Sequence, residues 1–215
     1  MPAARPEMDQ DRAAAQRLFP EVSRETWERL EALTGLLAKW QKTINLVSPS
    51  TLPHVWTRHV ADSLQTAELV PAGASTVVDL GSGAGFPGLV IAAARPDVYV
   101  HLIESDQRKC AFLREAARAM RVPVAVHNQR IESALESWPH GADAVTARAL
   151  APLTQLLGLA APLLKAGTVG IFAKGREIQE ELASAGADWQ IACDLVPSRT
   201  EDGARLLVVS ALTPR

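Results

Sequence analysis

The chain of 215 residues is 47% hydrophobic and 21% charged, which is enough for one buried core with an appendage. Its formal net charge of −2 excludes a protein that coats nucleic acid through bulk positive charge, so any nucleic-acid contact is expected to be local. Cys110 and Cys193 are far apart and lack the spacing of zinc ligands, which predicts neither a metal site nor a disulfide.

The N-terminal third is predicted to be helical. The first twenty residues carry three prolines and no sustained apolar period, which predicts a frayed or partly helical segment. Ser23 can then cap a helix in which apolar residues recur every three to four positions, namely Trp27, Leu30, Leu33, Leu37 and Trp40. A second helix is predicted to begin near Pro53. We therefore expect a helical N-terminal extension over residues 1–70 that contributes two helices.

From Thr76 the pattern changes to short apolar segments that alternate with helices. Seven strands are predicted, in the segments TVVDL, VYVHLIE, VPVAVHN, DAVTA, GTVGIFA, WQIACDLV and RLLVVSAL. This alternation is typical of an α/β fold with a doubly wound, mostly parallel, Rossmann-like sheet. The short connection between the last two segments predicts an antiparallel hairpin. We expect this sheet to form a second domain over residues 71–215.

A glycine-rich turn, DLGSGAGFPG, follows the first predicted strand. A dinucleotide fold requires GxGxxG, but the third glycine position is occupied by Phe86 after Gly81 and Gly83. Pro87 also removes an N–H group that a phosphate would use, and the P-loop pattern is absent. The turn is therefore not predicted to hold phosphate groups.

Two acidic residues near this turn indicate a different ligand. Asp79 places a carboxylate beside Gly81 and Gly83, which suits the cationic S-adenosyl-L-methionine and would repel an anionic dinucleotide. Glu104, at the end of the second strand, can accept hydrogen bonds from ribose hydroxyls, which both kinds of nucleotide carry. A GxGxG turn alone is also compatible with a purely structural role. The combination predicts a methyltransferase in which these four residues bind the cofactor.

The residues after the fourth strand restrict the kind of atom that can accept the methyl group. The segment VTARALAPL contains neither the Asn/Asp-Pro-Pro-aromatic turn of exocyclic amine methyltransferases nor the cysteine that pyrimidine C5 methylation needs. In place of both devices, the segment carries Arg148 at the end of the strand. We therefore expect an acceptor atom that is already nucleophilic and needs no general base.

Motifs along the chain resemble those of the glucose-inhibited division protein B family. They are INLVS (44–48), RHVADSL (58–64), VVDLGSGAGFPG (77–88), IESDQRKCAFL (103–113), NQRIES (128–133), ARAL (147–150) and AKG (173–175). Members of this family are small-subunit ribosomal RNA guanine-N7 methyltransferases with a class I methyltransferase sheet. The resemblance runs from about residue 23 onward and implies 16S ribosomal RNA, or an assembling small subunit, as the partner.

The resemblance also implies roles for single residues. Gly81 and Phe86 would line the S-adenosylmethionine pocket, Ile131 and Glu132 would flank the adenine, and Arg148 would close the site. Phe86 stands where some members carry leucine, so only its apolar bulk is expected to matter. We expect Arg148 to face the methionine carboxylate or an RNA phosphate, because its guanidinium can bind either in a bidentate manner.

Three further residues are candidates for contact with RNA. Asn45 lies in the interhelical loop, His59 in the second helix and Lys174 at the end of the fifth strand. Each also has a simpler interpretation, as a turn residue, a helix-surface hydrogen bond with Asp62 or a solvated lysine. No metal is expected, and the protein is expected to be a monomer. The alternatives to an RNA methyltransferase are methylation of a small molecule or protein, or a non-catalytic module that senses the cofactor.

Overall fold

The computed structural model describes residues 4–136, 138–139 and 141–215 of the chain. The helices in these ranges are α1 (Ala4–Leu18), α2 (Arg24–Trp40), α3 (Asp62–Leu69), α4 (Gly88–Ala94), α5 (Gln107–Met120), α6 (Ile131–Glu136), α7 (Leu153–Leu164) and α8 (Ile178–Ala185). The strands are β1 (Thr76–Leu80), β2 (Tyr99–Glu104), β3 (Val124–Asn128), β4 (Ala144–Arg148), β5 (Val169–Lys174), β6 (Trp189–Pro197) and β7 (Arg205–Pro214). A 3₁₀ segment (Pro49–His54) and a π-helical segment (Trp56–Ala61) precede α3.

The N-terminal region contains more helix than the sequence predicted. Of the two alternatives for the first twenty residues, the partly helical one is confirmed, because α1 is a helix of 15 residues. The expectation of two helices before the glycine turn was wrong, because three α-helices precede it. A tertiary contact explains the difference. Asp11 on α1 accepts hydrogen bonds from the N–H groups of Trp56 and Thr57, at 2.8 and 3.2 Å, and so caps the π-helical segment. The predicted cap of α2 is confirmed, since the Ser23 hydroxyl accepts from the Thr26 N–H at 3.1 Å.

The sheet has the predicted seven strands, in the order β3-β2-β1-β4-β5-β7-β6. The first five strands are parallel, and β7 pairs antiparallel with both β5 and β6, which confirms the predicted terminal hairpin. β1 has β2 on one side and β4 on the other, so the direction of winding reverses between β1 and β4. Crevices at such a switch point, outside the carboxyl ends of the strands, are the usual ligand sites of doubly wound sheets.

Two buried apolar clusters cover the sheet. One contains the inner faces of the N-terminal helices, including Trp27, Leu30 and Trp56, together with α4 and α5. The other contains α7 and the inner residues of β4 and the terminal hairpin. The first cluster contains buried residues on both sides of residue 70, such as Ala67 and Ala74, so the N-terminal helices pack directly on the sheet. The division into domains 1–70 and 71–215 stays a prediction.

Candidate functional site

The glycine turn leaves β1 at the switch point of the sheet. Gly81, Gly83 and Gly85 have φ angles of 65°, 53° and 84°, which L side chains rarely adopt. The Ser82 N–H donates to the Ile103 carbonyl of β2 at 3.0 Å, and the Gly85 N–H donates to the Ser82 carbonyl at 2.7 Å. The turn is therefore tightly closed, tied to the neighbouring strand and without side chains at its glycines.

Glu104 fixes this turn from the end of β2. Its Oε2 accepts the Gly83 N–H at 2.9 Å and its Oε1 accepts the Asp106 N–H at 2.8 Å. The side chain is buried except at the edge of a cavity. Each carboxylate oxygen has a second lone pair, so the same group can accept hydrogen bonds from two ribose hydroxyls.

Asp79 lies beneath the turn rather than in front of it. Its side chain is fully buried, and its Oδ1 accepts the hydroxyl of Thr146, the residue paired with it on β4, at 2.8 Å. Burial raises the pKa of Asp79 to about 6, although the hydrogen bond from Thr146 opposes the shift. The expectation that Asp79 offers its carboxylate directly to the ligand is therefore not what the geometry shows. Asp79 instead joins β1, β4 and the start of α4.

We expect the buried Asp79 carboxyl to make stability depend on pH. Its pKa is higher in the folded than in the unfolded chain, so the unfolded chain loses this proton first and the folded state weakens as pH rises from about 4 to about 6. Asp79→Asn removes this titration. Between pH 5 and pH 7.5 the unfolding free energy of the wild type should fall by about 1 kcal/mol more than that of the variant, in chemical denaturation at both pH values.

The exposed Asp202 offers a matched control for this measurement. Asp202→Asn should keep the pH dependence of the wild type. Equal pH dependence of the wild type and Asp79→Asn would show that Asp79 titrates alike in both states.

Arg148, at the end of β4, connects the sheet to the N-terminal helices. Its Nη1 donates to the Arg58 carbonyl at 2.9 Å and to Asp62 Oδ2 at 3.3 Å, and its Nη2 donates to His59 Nδ1. The guanidinium is largely buried, and this burial lowers its pKa while Asp62 opposes the change. In this structure Arg148 therefore pairs with Asp62 of the chain itself, and its contact with the methionine carboxylate or an RNA phosphate stays a prediction.

His59 is held as a neutral imidazole. Burial and the neighbouring Arg148 lower its pKa to about 3. A guanidinium can only donate hydrogen bonds, so Nδ1 of His59 accepts and the proton resides on Nε2, which donates to the Thr51 hydroxyl at 2.8 Å. The ring stacks on Phe86, with 5.2 Å between the centroids. His59 therefore joins the glycine turn to Arg148.

A cavity of about 520 Å³ opens in front of the glycine turn, and we call it the turn cavity. Seven of the eight predicted cofactor residues line it, and Asp79 does not; the seven are Gly81, Gly83, Phe86, Glu104, Ile131, Glu132 and Arg148. Ile131 and Glu132 begin α6, directly after β3. The volume of the turn cavity is within the usual range for small-molecule sites. The cavity can hold a nucleoside with its ribose on Glu104.

A second cavity of about 340 Å³ adjoins the first, between the ends of β4 and β5 and the β6–β7 loop. We call it the hairpin cavity. His59, Arg148 and residues 149–151 line both cavities and form the wall between them. Lys174 lines the hairpin cavity, whereas the exposed Asn45 lines neither. Its neighbours Leu46 and Val47 line the turn cavity instead.

Sequence reasoning missed three residues that line the hairpin cavity. The one sequence signal for Asp62 is its i,i+3 spacing from His59. This spacing was interpreted as a hydrogen bond on the helix surface. Ala149 has a φ of 51°, a conformation uncommon outside glycine that often marks functional sites. Glu181 pairs with Lys174 at 2.6 Å from a helix that no motif includes. No local pattern identifies the last two.

The described ranges contain neither a metal-binding cluster nor a membrane-spanning helix. No group of three or more His, Cys, Asp or Glu side chains there is arranged to hold a metal ion. None of the helices there combines the length and apolar character needed to cross a bilayer.

Comparison with known proteins gives concordant matches. Residues 26–202 match the family model GidB, described as rRNA small subunit methyltransferase G. The chain is 53% identical over 193 residues to the ribosomal RNA small subunit methyltransferase G of Methylobacterium radiotolerans, covering 89% of this chain and 90% of that protein. It is 54% identical over 187 residues to the protein of the same name from Paramagnetospirillum magneticum, covering 86% and 89%.

Solved structures with similar folds have far lower sequence identity. The O-methyltransferase TomG of Streptomyces achromogenes, solved in complex with SAM, superposes with a TM-score of 0.58 at 13% identity. The match covers 84% of this chain and 90% of TomG. Together with the sheet order, this likeness identifies the fold as a Rossmann-like class I methyltransferase.

Proposed function

Because the chain belongs to the GidB family of small-subunit ribosomal RNA methyltransferases, we propose that it transfers a methyl group from S-adenosylmethionine to N7 of a guanine in 16S ribosomal RNA. The observation that carries the proposal is the pair of adjoining cavities at the end of β4, with Arg148 and His59 in the wall between them. One cavity suits a nucleoside cofactor and the other an acceptor base.

The residues of the turn cavity fit S-adenosylmethionine. Glu104 would hold the ribose hydroxyls, and Ile131 and Glu132 would flank the adenine. Gly83 lets the ligand approach the backbone, because no side chain lies within 4 Å of a Cβ added there, whereas the Leu150 side chain packs against Gly81. When bound, the cofactor supplies an electrophilic methyl group on a sulfonium.

The chemistry requires positioning more than proton transfer. Guanine N7 carries a lone pair on the base edge and attacks without losing a proton, so no general base is needed. The protein then contributes mainly by holding the reacting atoms in line at short distance. The wall of His59 and Arg148, fixed by Phe86 and Asp62, can provide this rigid alignment. A neutral His59 adds no positive charge next to the cationic product.

Glu104 offers a direct test of cofactor binding. Glu104→Ala should weaken S-adenosylmethionine binding by about tenfold to hundredfold, because a buried carboxylate that accepts ribose hydroxyls is lost. Isothermal titration calorimetry measures this change. Glu136→Ala, which removes an exposed carboxylate at the end of α6, is the matched control and should bind as the wild type does. Unchanged affinity of Glu104→Ala would exclude the ribose role.

A labelling experiment tests the function itself. Purified protein is incubated with methyl-labelled S-adenosylmethionine and 16S RNA from cells lacking this activity, both naked and in small subunits. The nucleosides are then identified after digestion. We expect label in 7-methylguanosine. Absence of label from a protein that binds the cofactor would exclude RNA as the acceptor and favour a small molecule or protein.

The remaining expectations complete the proposal. The protein would act in the cytoplasm as a monomer, without a metal, with residues 1–70 as a helical extension of the methyltransferase domain 71–215. Asn45, His59 and Lys174 remain the proposed RNA contacts. Lys174 and His59 line the hairpin cavity, which supports this role more strongly for them than for Asn45.

A further inference from the structure

The hairpin cavity is a built pocket rather than a gap between loops. Its outer wall is the β6–β7 loop, which is tied to the N-terminal helices. Thr200 donates its hydroxyl to Asp62 Oδ1 at 3.1 Å, Arg58 pairs with Glu201 at 2.9 Å, and the Arg199 N–H donates to Gln65 Oε1 at 2.6 Å. These bonds join parts of the chain more than 130 positions apart. The loop is thereby fixed opposite the ends of β4 and β5.

A charged pair lies in the inner wall of this cavity. Lys174 Nζ is 2.6 Å from Glu181 Oε2, and the lysine side chain is only 9% exposed. The same oxygen accepts the Leu153 N–H at 2.6 Å, which fixes the carboxylate at the start of α7. The other oxygen, Oε1, has no hydrogen-bond partner among the residues that the structure describes. Lys174 Nζ also donates to the Ala151 carbonyl at 3.3 Å, so one of its three N–H groups remains for a ligand, beside the free Oε1 of Glu181.

We propose that the hairpin cavity binds the acceptor guanine and that Glu181 and Lys174 recognise it. This inference rests on the proposed function. The Watson–Crick edge of guanine presents two donors, N1–H and the N2 amino group, next to the acceptor O6. The free Oε1 of Glu181 accepts from both donors through its two lone pairs, and the Lys174 ammonium donates to O6. N7 lies beyond O6 on the base and therefore faces the wall that the two cavities share.

The pair also explains selection against adenine. Adenine has an amino group where guanine has O6, and an unprotonated N1 where guanine has a donor. Adenine would place its amino group against the Lys174 ammonium and its N1 lone pair against the Glu181 carboxylate. Both contacts are repulsive, and such mismatched polar groups discriminate more strongly than lost apolar area. Glu181 is therefore a specificity-determining residue.

The first experiment uses Glu181→Gln, with the adjacent exposed Glu180→Gln as the matched control. Methyl transfer to small-subunit RNA and S-adenosylmethionine binding are measured for both variants. We expect Glu181→Gln to lower kcat/KM for RNA about tenfold to hundredfold at unchanged cofactor affinity, and Glu180→Gln to equal the wild type. Wild-type kcat/KM in Glu181→Gln would overturn the proposal.

A second arm separates recognition from a structural defect. The methylated guanine is mapped and replaced in the RNA by inosine, which lacks the N2 amino group. The wild type should methylate inosine about tenfold less efficiently, whereas Glu181→Gln should treat both bases alike. An equal preference for guanine in both enzymes would assign Glu181 a structural role only. If the wild type labels no RNA at all, the proposed function fails rather than the assignment of the pocket.

Discussion

Arg148→Ala is expected to lower methyl transfer at least about a hundredfold and the unfolding free energy by about 3 kcal/mol. The guanidinium donates to Asp62, to His59 and to the Arg58 carbonyl from the end of β4. Its removal leaves the Asp62 carboxylate in the wall with only the Thr200 hydroxyl as a side-chain donor in the described ranges. Breaking a buried ion pair on one side is costly, because the remaining charge keeps its desolvation cost.

Activity should fall further than stability alone explains, since the wall between the two cavities loses its central group. Displacement of reacting groups by about 1 Å can already lower turnover a hundredfold. Single-turnover methyl transfer at saturating cofactor and chemical denaturation measure the two effects. Arg148→Lys keeps the charge but not the planar fork, and it should recover little activity.

Arg118, on the exposed face of α5, provides the control for this experiment. Arg118→Ala should retain wild-type turnover and stability. Full cofactor affinity and full turnover of Arg148→Ala would refute the role of the wall.

Gly88→Ala should lower the unfolding free energy by about 2–4 kcal/mol, through overpacking. An added Cβ at Gly88 would collide with the side chain of Leu102 and lie 2.7 Å from Asp79 Oδ2 and 3.0 Å from Asp79 Cβ. Asp79 and Leu102 belong to the central strands, which cannot move aside without disturbing the sheet. The turn that starts α4 must shift instead, so cofactor affinity should fall as well.

Gly158→Ala is the matched control, because nothing lies within 4 Å of a Cβ added there on the exposed face of α7. Alanine in a helix interior is favoured over glycine by up to about 1 kcal/mol, so this variant should be as stable as the wild type or more stable. Thermal and chemical denaturation of both variants test the contrast. A Gly88→Ala protein as stable as Gly158→Ala would contradict the packing argument.

The sheet and the turn could be predicted because their signals are local. Alternating apolar segments predict the strands, and the glycines with Glu104 about 20 residues later predict the proposed nucleoside site at the end of β1. The wall between the cavities could not be predicted in this way. Arg148 and Asp62 are 86 positions apart, and each alone is compatible with an ordinary surface charge. The depth of Asp79 also depends on its pairing with Thr146 across two strands, which a sequence pattern does not show.

The helix α1 illustrates a second limit of prediction from the sequence. Its sequence is polar, and its place is set by tertiary contacts such as the cap that Asp11 provides for the segment at Trp56 and the burial of Ala15. Tertiary contacts of this kind override weak local propensity. Glu181 was missed for the same reason, since its position in the hairpin cavity depends on how α8 packs against α7.

The position of β7 in the sheet has a consequence for how the enzyme is made. β7 follows β6 in the chain, yet it lies between β5 and β6, so β6 has no place in the sheet before β7 is present. The loop that closes the hairpin cavity joins β6 and β7. A nascent chain that still lacks β7 therefore has no completed hairpin cavity, even though ribosomal RNA surrounds it.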